Sequence, residues 1–201
     1  MPAKKKNKHY DQAYFERWYR GRALEGADLR RQVELAVVLA ETMVARRLRT
    51  VLDVGAGEGR WFAELRRLRP HVRYQGVEPS EWAVATWGRR RHLRQGDLLS
   101  LGELGLAGPF DLVIVSDVLH YLPDATVRRG LLTVAPFVDG LLFAPTFTPR
   151  DQITGDRVEF QHRTATRYRN AFRDAGLRQV GPWAWTPRDR YDELAELERP
   201  A

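Results

Sequence analysis

Cysteine is missing from this 201-residue sequence. Its absence excludes disulfides, zinc sites built on thiolates and cysteine nucleophiles. Long apolar runs are missing too, because no stretch approaches the roughly 20 residues that a helix needs to cross a bilayer. The basic start, MPAKKKNKHY, has no apolar segment behind it, as a secretory signal would require. We therefore expect a cytoplasmic protein with no membrane partner.

Lysine is scarce and unevenly placed, since the only four lysines lie among the first eight residues. The net charge of +7 invites a nucleic-acid partner, but more than half of that surplus sits in this short segment. Elsewhere arginines alternate with acids, as in DLRRQVE and RDRYDELAELER, which is typical of solvated helix faces. We predict a disordered basic tail over residues 1–9 and a single domain over residues 10–201, and the charge pattern argues against nucleic acid as the partner.

Short apolar runs alternate with amphipathic stretches along the rest of the chain. TVLDVG, HVRYQGVE and PFDLVIVSD are typical of buried strands, whereas RWFAELRRLR, SEWAVATWGRRR and DATVRRGLLTVAPFV have helical spacing. A further helix should cover residues 28–48, with Asp28 as its N-cap. Strands that are apolar throughout and separated by helices indicate a parallel sheet covered on both faces. The prediction is an α/β fold, a Rossmann-like and mostly parallel sheet with helices on both faces.

An aromatic helix is predicted ahead of this sheet. Residues 10–20 hold five aromatic side chains, most of them on one helical face. They could form a core contact against the sheet edge, or a lid over a ligand. Five aromatics exceed what one short helix needs for docking, which favours an N-terminal helical lid. Tyr14 and Trp18 are then candidate substrate contacts.

Acidic residues follow successive predicted strands, where a sheet of this kind binds its ligands. The first strand runs into DVGAGEG, in which Gly55 and Gly57 allow a sharp turn and a close approach to a ligand. Asp53 would repel a diphosphate but suits an ammonium group. Glu78 ends the second strand, where a carboxylate could take both hydroxyls of a ribose, and Asp97 follows the third.

A glycine-rich loop alone is a weak signal, because nicotinamide and flavin domains use one as well. Their fingerprint requires glycine or alanine where this chain has Arg60, whose side chain would crowd the helix against the strand. A turn without a ligand would leave the repeated strand-end acids unexplained. The residues favour a methyltransferase over a dinucleotide enzyme, with a non-catalytic fold as the third reading.

Four segments resemble the motifs of class I S-adenosylmethionine-dependent methyltransferases. They are VLDVGAGEGRW, YQGVEPS, RQGDLLSL and FDLVIVSDVLHYL, and TATRYRNAFRDAGL resembles the helix before the last strands of small-molecule members. The resemblance covers roughly residues 48 to 185. It implies S-adenosylmethionine as the cofactor, S-adenosylhomocysteine as the product, no metal, and transfer of the methyl group to an oxygen or nitrogen of a small molecule.

The same resemblance implies a role for individual residues. The methionine end would be held by Asp53, Gly55, Ala56, Gly57 and the carbonyl of Ser116, the ribose by Glu78, and the adenine by Pro79, Asp97 and Leu98. In an in-line methyl transfer the protein mainly aligns the acceptor, and a base is needed only for a protonated acceptor. His120 and His162 are the candidate bases, although both could be packing residues, and Tyr121 is a candidate substrate contact.

Three questions stay open in the sequence. The family's sheet usually ends in a hairpin whose final strand is antiparallel, but residues after Trp185 read as a helix. The seventh strand is therefore expected to be absent or short, or to be replaced by residues 157–162.

The class of acceptor is the second open question. The fourth predicted strand ends in SDVL, where base-methylating enzymes carry an NPPY-type tetrad, and this difference favours a small acceptor over RNA. A non-catalytic binding module is the other alternative. The chain is expected to be a monomer or a homodimer.

Overall fold

A computed structural model describes residues 9–19, 26–152 and 156–195 of the chain. Residues 1–8, most of the predicted tail, lie outside the described residues. One seven-stranded sheet dominates the described part. Its strands are β1 (Thr50–Val54), β2 (Arg73–Glu78), β3 (Leu93–Gln95), β4 (Phe110–Ile114), β5 (Val138–Phe143), β6 (Leu177–Gly181) and β7 (Ala184–Pro187).

Helices connect most of these strands. They are α1 (Gln12–Tyr19), α2 (Gly26–Val44), α3 (Arg60–Leu68), α4 (Glu81–Arg91), α5 (Asp124–Val134), α6 (Ala165–Asp174) and α7 (Arg188–Ala195), with 3-10 turns at Leu101–Glu103, Leu119–Tyr121 and Ala135–Phe137. Among the described residues, no helix combines the length and the apolar character that crossing a bilayer requires.

The strand order is β3-β2-β1-β4-β5-β7-β6. Strands β1 to β5 run parallel, and β1 pairs with both β2 and β4, so that Val51 lies between Tyr74 and Leu112. The chain moves outward from β1 to β3 and then returns to β4 on the other side of β1. This reversal opens a crevice beyond the carboxyl ends of β1 and β4, which is where such sheets bind ligands.

Two apolar clusters, one on each face of the sheet, form the core. Successive β1 residues point to opposite faces, so Leu52 packs with α5 and α6 while Val51 packs with α2 and α3. Because both faces are covered, β4 is buried along its whole length. The predicted mostly parallel sheet with helices on both faces is therefore confirmed.

The sheet ends in the hairpin that is usual for the family, and its seventh strand is short, with four residues, as one form of the prediction expected. The other form, replacement by residues 157–162, is wrong. The seventh strand is present, and it follows β6 after a tight turn at Pro182 and Trp183. It pairs antiparallel with both β5 and β6, for example Leu142 with Trp185. The segment LRQVGPWAW contains all of β6, the turn and the first half of β7, and residues 157–162 form no strand. Trp183 adopts a left-handed φ of 57° in the turn, a conformation that sequence patterns do not announce.

Helix starts agree with the sequence except at α2. Ser80 caps α4 through a 3.1 Å hydrogen bond that its hydroxyl accepts from the backbone N–H of Ala83, as predicted. Helix α2 begins at Gly26, two residues before the predicted cap, and places Asp28 in its first turn. A carboxylate there still interacts favourably with the helix dipole.

Candidate active site

Asp53 lies at the end of β1 and is only 1% exposed. Its Oδ2 accepts a 2.6 Å hydrogen bond from the hydroxyl of Tyr74 on β2. Burial raises the pKa of Asp53 to about 7, against the lowering effect of the Tyr74 hydrogen bond. A positively charged group beside this carboxylate would restore its ionised form, so the position suits the ammonium group of a methionine moiety.

Glu78 ties the end of β2 to the glycine loop. Its Oε2 accepts a 2.7 Å hydrogen bond from the backbone N–H of Gly57, and its Oε1 accepts one of 3.0 Å from Ser80. Burial raises the pKa of Glu78, and these two hydrogen bonds partly offset the rise. Each carboxylate oxygen retains a second lone pair that could accept a ribose hydroxyl.

The glycine loop is closely surrounded by neighbouring side chains, which leave no room for side chains at Gly55 and Gly57. Gly55 and Gly57 adopt left-handed φ values of 76° and 57°. A Cβ on Gly55 would lie 2.3 Å from Cγ2 of Val118, and a Cβ on Gly57 would lie 2.6 Å from the hydroxyl of Tyr19. The loop therefore needs glycine both for its conformation and for the close approach of its neighbours, as a site for backbone contacts to a ligand requires.

The residues assigned to adenine are placed less uniformly. Pro79 is exposed beside Glu78. Asp97 is also exposed, and its Oδ1 accepts hydrogen bonds of 2.8 and 3.0 Å from the backbone of Leu99 and Ser100, which form a local turn. The side chain of Leu98 is buried in the core, where it packs against Gly130 of α5. Their contacts with adenine stay predictions.

A cavity of about 1170 Å³ opens at the carboxyl ends of β1 and β4. Four of the predicted cofactor residues line it: Asp53, Gly55, Ala56 and Ser116. The remaining predicted cofactor residues lie outside its lining: Gly57, Glu78, Pro79, Asp97 and Leu98. The methionine half of the predicted cofactor site thus opens into the cavity, and the adenosine half lies beside it.

Three predicted substrate contacts and one predicted base reach the same cavity. Tyr14, Trp18, His120 and Tyr121 all line it. His120 is 1% exposed, and its ring packs among those of Tyr121, Phe147 and Phe160. His162 is exposed, contacts Phe160 and lies outside the lining. The structure brings His120 to the cavity and leaves His162 away from it.

Helix α1 covers the glycine loop. Phe15 is buried and stacks on Trp82 of α4 with ring centroids 5.1 Å apart. The hydroxyl of Ser80 donates a 2.5 Å hydrogen bond to the carbonyl of Tyr10. Arg60 donates a 2.6 Å hydrogen bond to the carbonyl of Tyr19 and lies over its ring. One face of α1 is therefore a packing surface, and the other faces the cavity through Tyr14, Trp18 and Tyr19.

The segment before α6 holds the loop that carries His120. The backbone N–H of Gln161 donates a 2.7 Å hydrogen bond to the carbonyl of His120. Arg163 is 2% exposed and donates to the carbonyls of Leu119 and Leu122 at 3.1 and 2.7 Å. It also forms a 2.7 Å ion pair with Asp124 at the start of α5. These contacts fix both ends of the 3-10 turn that places His120 and Tyr121 in the cavity.

Sequence reasoning missed much of the cavity wall. Asp117 directly follows Ser116, has a left-handed φ of 58° and is exposed within the cavity. The surrounding protein desolvates its carboxylate and raises its pKa to about 6. Its place after a fourth buried strand was the signal that could have identified it. The other missed polar lining residues are Asp28, Gln32, Arg60, Thr146, Thr148, Asp151, Asp156, Arg169 and Gln179, and the missed aromatic ones are Tyr19, Trp61, Phe147, Tyr168, Trp183 and Trp185.

Metal ligands do not cluster in the described part of the chain, which contains no group of three or more His, Asp or Glu side chains placed to hold an ion. Independence from metal remains a prediction.

Comparison of structures finds many folds of the same kind. The amino pentose methyltransferase CalS10 of Micromonospora echinaspora, solved with S-adenosylmethionine bound, matches with a TM-score of 0.65 and 18% identity over 89% of this chain and 96% of CalS10. The sugar N-methyltransferase KedS8 of Streptoalloteichus sp. ATCC 53650 matches with a TM-score of 0.54 and 25% identity over 69% of this chain. The methyltransferase CalO6 matches with a TM-score of 0.51 and 22% identity, also over 69% of this chain. This chain spans only 56% of the length of KedS8 and of CalO6.

Sequence comparison gives a family but no individual relative. No curated protein matches the sequence. A family described as "Methyltransferase domain" matches residues 22–180, which include the glycine loop, every strand from β1 to β5 and most of β6. With that match, this sheet order and a cleft at the ends of β1 and β4, the chain belongs to the methyltransferase domain family, with the class I S-adenosylmethionine-dependent fold.

Proposed function

We propose that this protein transfers a methyl group from S-adenosylmethionine to a small-molecule acceptor and releases S-adenosylhomocysteine. One observation carries the proposal. A single cavity joins the methionine side of the predicted cofactor site, at Asp53 and Gly55, to an aromatic and polar chamber that the cofactor residues do not fill. Donor and acceptor could therefore meet in one cavity, and holding them close together is the main requirement of a methyl transfer.

The residues present fit this cofactor. Asp53 would pair with its ammonium group, Glu78 would accept the ribose hydroxyls, and the backbone of Gly55 and Gly57 would contact its methionine end. The carbonyl of Ser116 would accept from the same ammonium group, and Pro79, Asp97 and Leu98 would lie towards the adenine. When bound, the cofactor supplies an electrophilic methyl carbon.

The chain's own residues orient the acceptor and exclude water. Tyr14, Trp18 and Tyr121 would contact the acceptor, because they line the chamber beside the methionine side. His120 is the stronger candidate for a base, since it is buried in the cavity wall whereas His162 is exposed. A base is needed only if the acceptor carries a proton on the reacting atom.

A small acceptor is supported over RNA by the aromatic lining of the chamber and by the sugar N-methyltransferase activity stated for KedS8. A non-catalytic binding module is the second alternative, and only turnover separates it from an enzyme. The cytoplasmic location and the state as monomer or homodimer stay predictions.

Calorimetry with S-adenosylhomocysteine and with NADH tests the cofactor assignment. We expect micromolar binding of the former and no binding of the latter, because Asp53 would repel a diphosphate. A screen of amines, phenols and hydroxylated compounds for production of S-adenosylhomocysteine tests the transfer. Tighter binding of NADH would contradict the proposal, and binding without turnover on any acceptor would favour the non-catalytic module.

A further inference from the structure

Helix α1 is attached to the rest of the fold at both of its ends. Just before its first turn, the carbonyl of Tyr10 accepts a 2.5 Å hydrogen bond from the hydroxyl of Ser80, the residue that caps α4. At its last residue, the carbonyl of Tyr19 accepts a 2.6 Å hydrogen bond from the guanidinium of Arg60, the first residue of α3. Because both acceptors are backbone carbonyls, these two bonds hold the chain itself and not only its side chains.

Both attachments lead to Glu78, the proposed ribose acid. Its Oε1 accepts a 3.0 Å hydrogen bond from the backbone N–H of Ser80, so Ser80 links Glu78 to the start of α1. Its Oε2 accepts a 2.7 Å hydrogen bond from the backbone N–H of Gly57. The hydroxyl of Tyr19 lies against Gly57, since a Cβ added there would be 2.6 Å from it. Each carboxylate oxygen of Glu78 is therefore connected through one residue to one end of α1.

Arg60 holds the side chain of Tyr19 as well as its carbonyl. The guanidinium carbon lies 4.6 Å from the centre of the Tyr19 ring, within the range of a cation–π contact. Both residues line the cavity beside Asp53 and Gly55, so this contact forms part of the cavity wall. Arg60 stands where the dinucleotide fingerprint requires glycine or alanine, and neither of those side chains could make either contact.

We propose that Arg60 is a positioning residue, which holds Tyr19 against the glycine loop and thereby keeps α1 closed over a bound cofactor. This inference rests on the proposed function. Arg60 acts through Tyr19 and not through a contact of its own with the cofactor. Opening of the end of α1 would break both the hydrogen bond and the ring contact, so Arg60 should control how long the cofactor stays bound.

Arg60→Ala tests this role through the rate at which a ligand leaves. Tryptophan fluorescence in a stopped-flow instrument measures the dissociation of S-adenosylhomocysteine, and calorimetry measures its affinity. Loss of one charge-assisted hydrogen bond corresponds to about tenfold. We therefore expect dissociation to become about tenfold faster and the affinity to become about tenfold weaker.

Two further variants show that the effect belongs to this side chain. Arg60→Lys keeps the charge and can still donate to one carbonyl, but it lacks the planar group that stacks on a ring, so it should restore part of the loss. Arg66→Ala is the matched control, because it removes an exposed arginine of the same helix that lies outside the cavity lining. It should change neither dissociation nor affinity.

Methylthioadenosine separates positioning from direct contact with the cofactor. This ligand keeps the adenosine of S-adenosylhomocysteine and lacks its amino-acid end. Closure of α1 acts on the ribose through the partners of Glu78, so Arg60→Ala should weaken both ligands by the same factor. A loss confined to S-adenosylhomocysteine would overturn the inference, because it would show that Arg60 binds the amino-acid end directly.

Hydrogen exchange shows whether the effect passes through α1. With S-adenosylhomocysteine saturating, the amides of Gln12–Tyr19 should exchange about tenfold faster in Arg60→Ala than in the wild type, and Arg66→Ala should match the wild type. The melting temperature of the ligand-free variant should barely change, since α1 lies outside the two core clusters apart from Phe15. Unchanged exchange of α1, or a lower melting temperature without faster dissociation, would overturn the positioning role.

The outcomes also separate this inference from the proposed function. Failure of the wild type to bind S-adenosylhomocysteine and methylthioadenosine would overturn the proposed function. The exchange of Gln12–Tyr19 in the ligand-free protein, compared between the wild type and Arg60→Ala at short labelling times, would then decide whether Arg60 holds α1. Faster exchange in the variant would support the contact, and equal exchange would overturn it.

Discussion

The two halves of the cleft are built in different ways. The proposed cofactor half consists of strand ends and the loops that directly follow them, at Asp53 to Gly57, Glu78 and Asp97. The proposed acceptor half takes side chains from α1, the start of α2, the turn after β4, the segment before α6 and the β6–β7 turn. The first is set by short stretches of local sequence, and the second by how distant segments pack.

This difference decides what each half tolerates. A change in the cofactor half alters backbone geometry that the sheet itself fixes, so its effect should be large and confined to the cofactor. A change in the acceptor half alters how distant segments of the chain pack against one another. Its effect should therefore appear in turnover, and its size should depend on the contacts that hold those segments in place.

Glu78→Ala should give the largest effect, on the cofactor half. Two charge-assisted hydrogen bonds to ribose, each worth about 1.5–3 kcal/mol, would be lost, so affinity for S-adenosylhomocysteine should fall at least a hundredfold. Because Glu78 also accepts from Gly57 and Ser80, the variant should lose about 1–3 kcal/mol of stability as well. Calorimetry and thermal unfolding measure the two effects.

Asp97→Ala is the matched control, because it removes the acid at the end of the neighbouring strand. Asp97 is exposed and supports only a local turn, so its loss should weaken binding several-fold less than Glu78→Ala. Equal effects of the two variants would show that Glu78 does not bind the ribose.

Arg163→Ala should give the second largest effect, on the acceptor half. The variant removes the guanidinium donor from the carbonyls of Leu119 and Leu122, although Leu119 keeps a 3.3 Å hydrogen bond from the backbone N–H of Leu122. The turn that carries His120 and Tyr121 should therefore become less firmly held. Misplacement of such a turn should lower kcat about ten- to hundredfold. Affinity for S-adenosylhomocysteine should stay unchanged, because Arg163 contacts nothing in the cofactor half.

Two further variants show whether Arg163 acts by positioning this turn. Arg163→Lys keeps the charge but cannot reach both carbonyls and Asp124 together, so it should rescue stability more than kcat. Arg167→Ala removes only the exposed 3.5 Å partner of Asp124 and should leave kcat intact. If kcat fell only in proportion to the unfolded fraction, Arg163 would be a stabilising residue alone.

The sequence predicted the places of the strand-end acids better than it predicted the lining of the cavity, for physical reasons. Each strand-end acid follows its apolar run directly, so the sheet fixes Asp53 and Glu78 as soon as the strands are recognised. Asp156 and Trp183 depend on the path of long connections, and no periodic pattern records that path. The sequence left the form of the β6–β7 hairpin open for the same reason, since its turn relies on a left-handed Trp183 where glycine or asparagine would have been the signal.

Cofactor affinity should depend on pH through Asp53. Its pKa of about 7 in the free protein would fall when the ammonium group of the ligand binds, so binding favours the ionised carboxylate and releases a proton. Affinity for S-adenosylhomocysteine should be constant above about pH 8 and fall about tenfold by about pH 6. Calorimetry in buffers of different ionisation enthalpy measures both the affinity and the proton.

Tyr74→Phe sharpens this test. The Tyr74 hydroxyl lowers the pKa of Asp53, so its removal should raise that pKa and move the loss of affinity to higher pH. The fold should tolerate the change because the ring stays in place. A pH profile that does not move would show that another group controls the affinity.

The smallest effect concerns α1, which lies across both halves. Its buried Phe15 stacks on Trp82, while Trp18 lines the cavity. Substitution of Phe15 therefore tests how α1 is attached to the fold, and substitution of Trp18 tests how α1 covers the cavity. A lid must open to admit ligands and belongs to the less stable part of a structure. We therefore expect the amides of Gln12–Tyr19 to exchange quickly in the free protein and to become protected when S-adenosylhomocysteine binds.

The matched variants Phe15→Ala and Trp18→Ala should then have different effects: the first should mainly lower stability, and the second should mainly lower turnover. Loss of the buried ring should undock α1, remove the ligand-dependent protection and cost more than the roughly 0.5–1.5 kcal/mol of an aromatic pair alone. Loss of Trp18 should lower turnover about two- to tenfold, as an acceptor contact of that size predicts, with little change in melting temperature. Slow exchange of α1 in both states, together with a large loss of melting temperature in Trp18→Ala, would mean that α1 is a fixed part of the core, and that the acceptor half is closed by packing rather than by a moving helix.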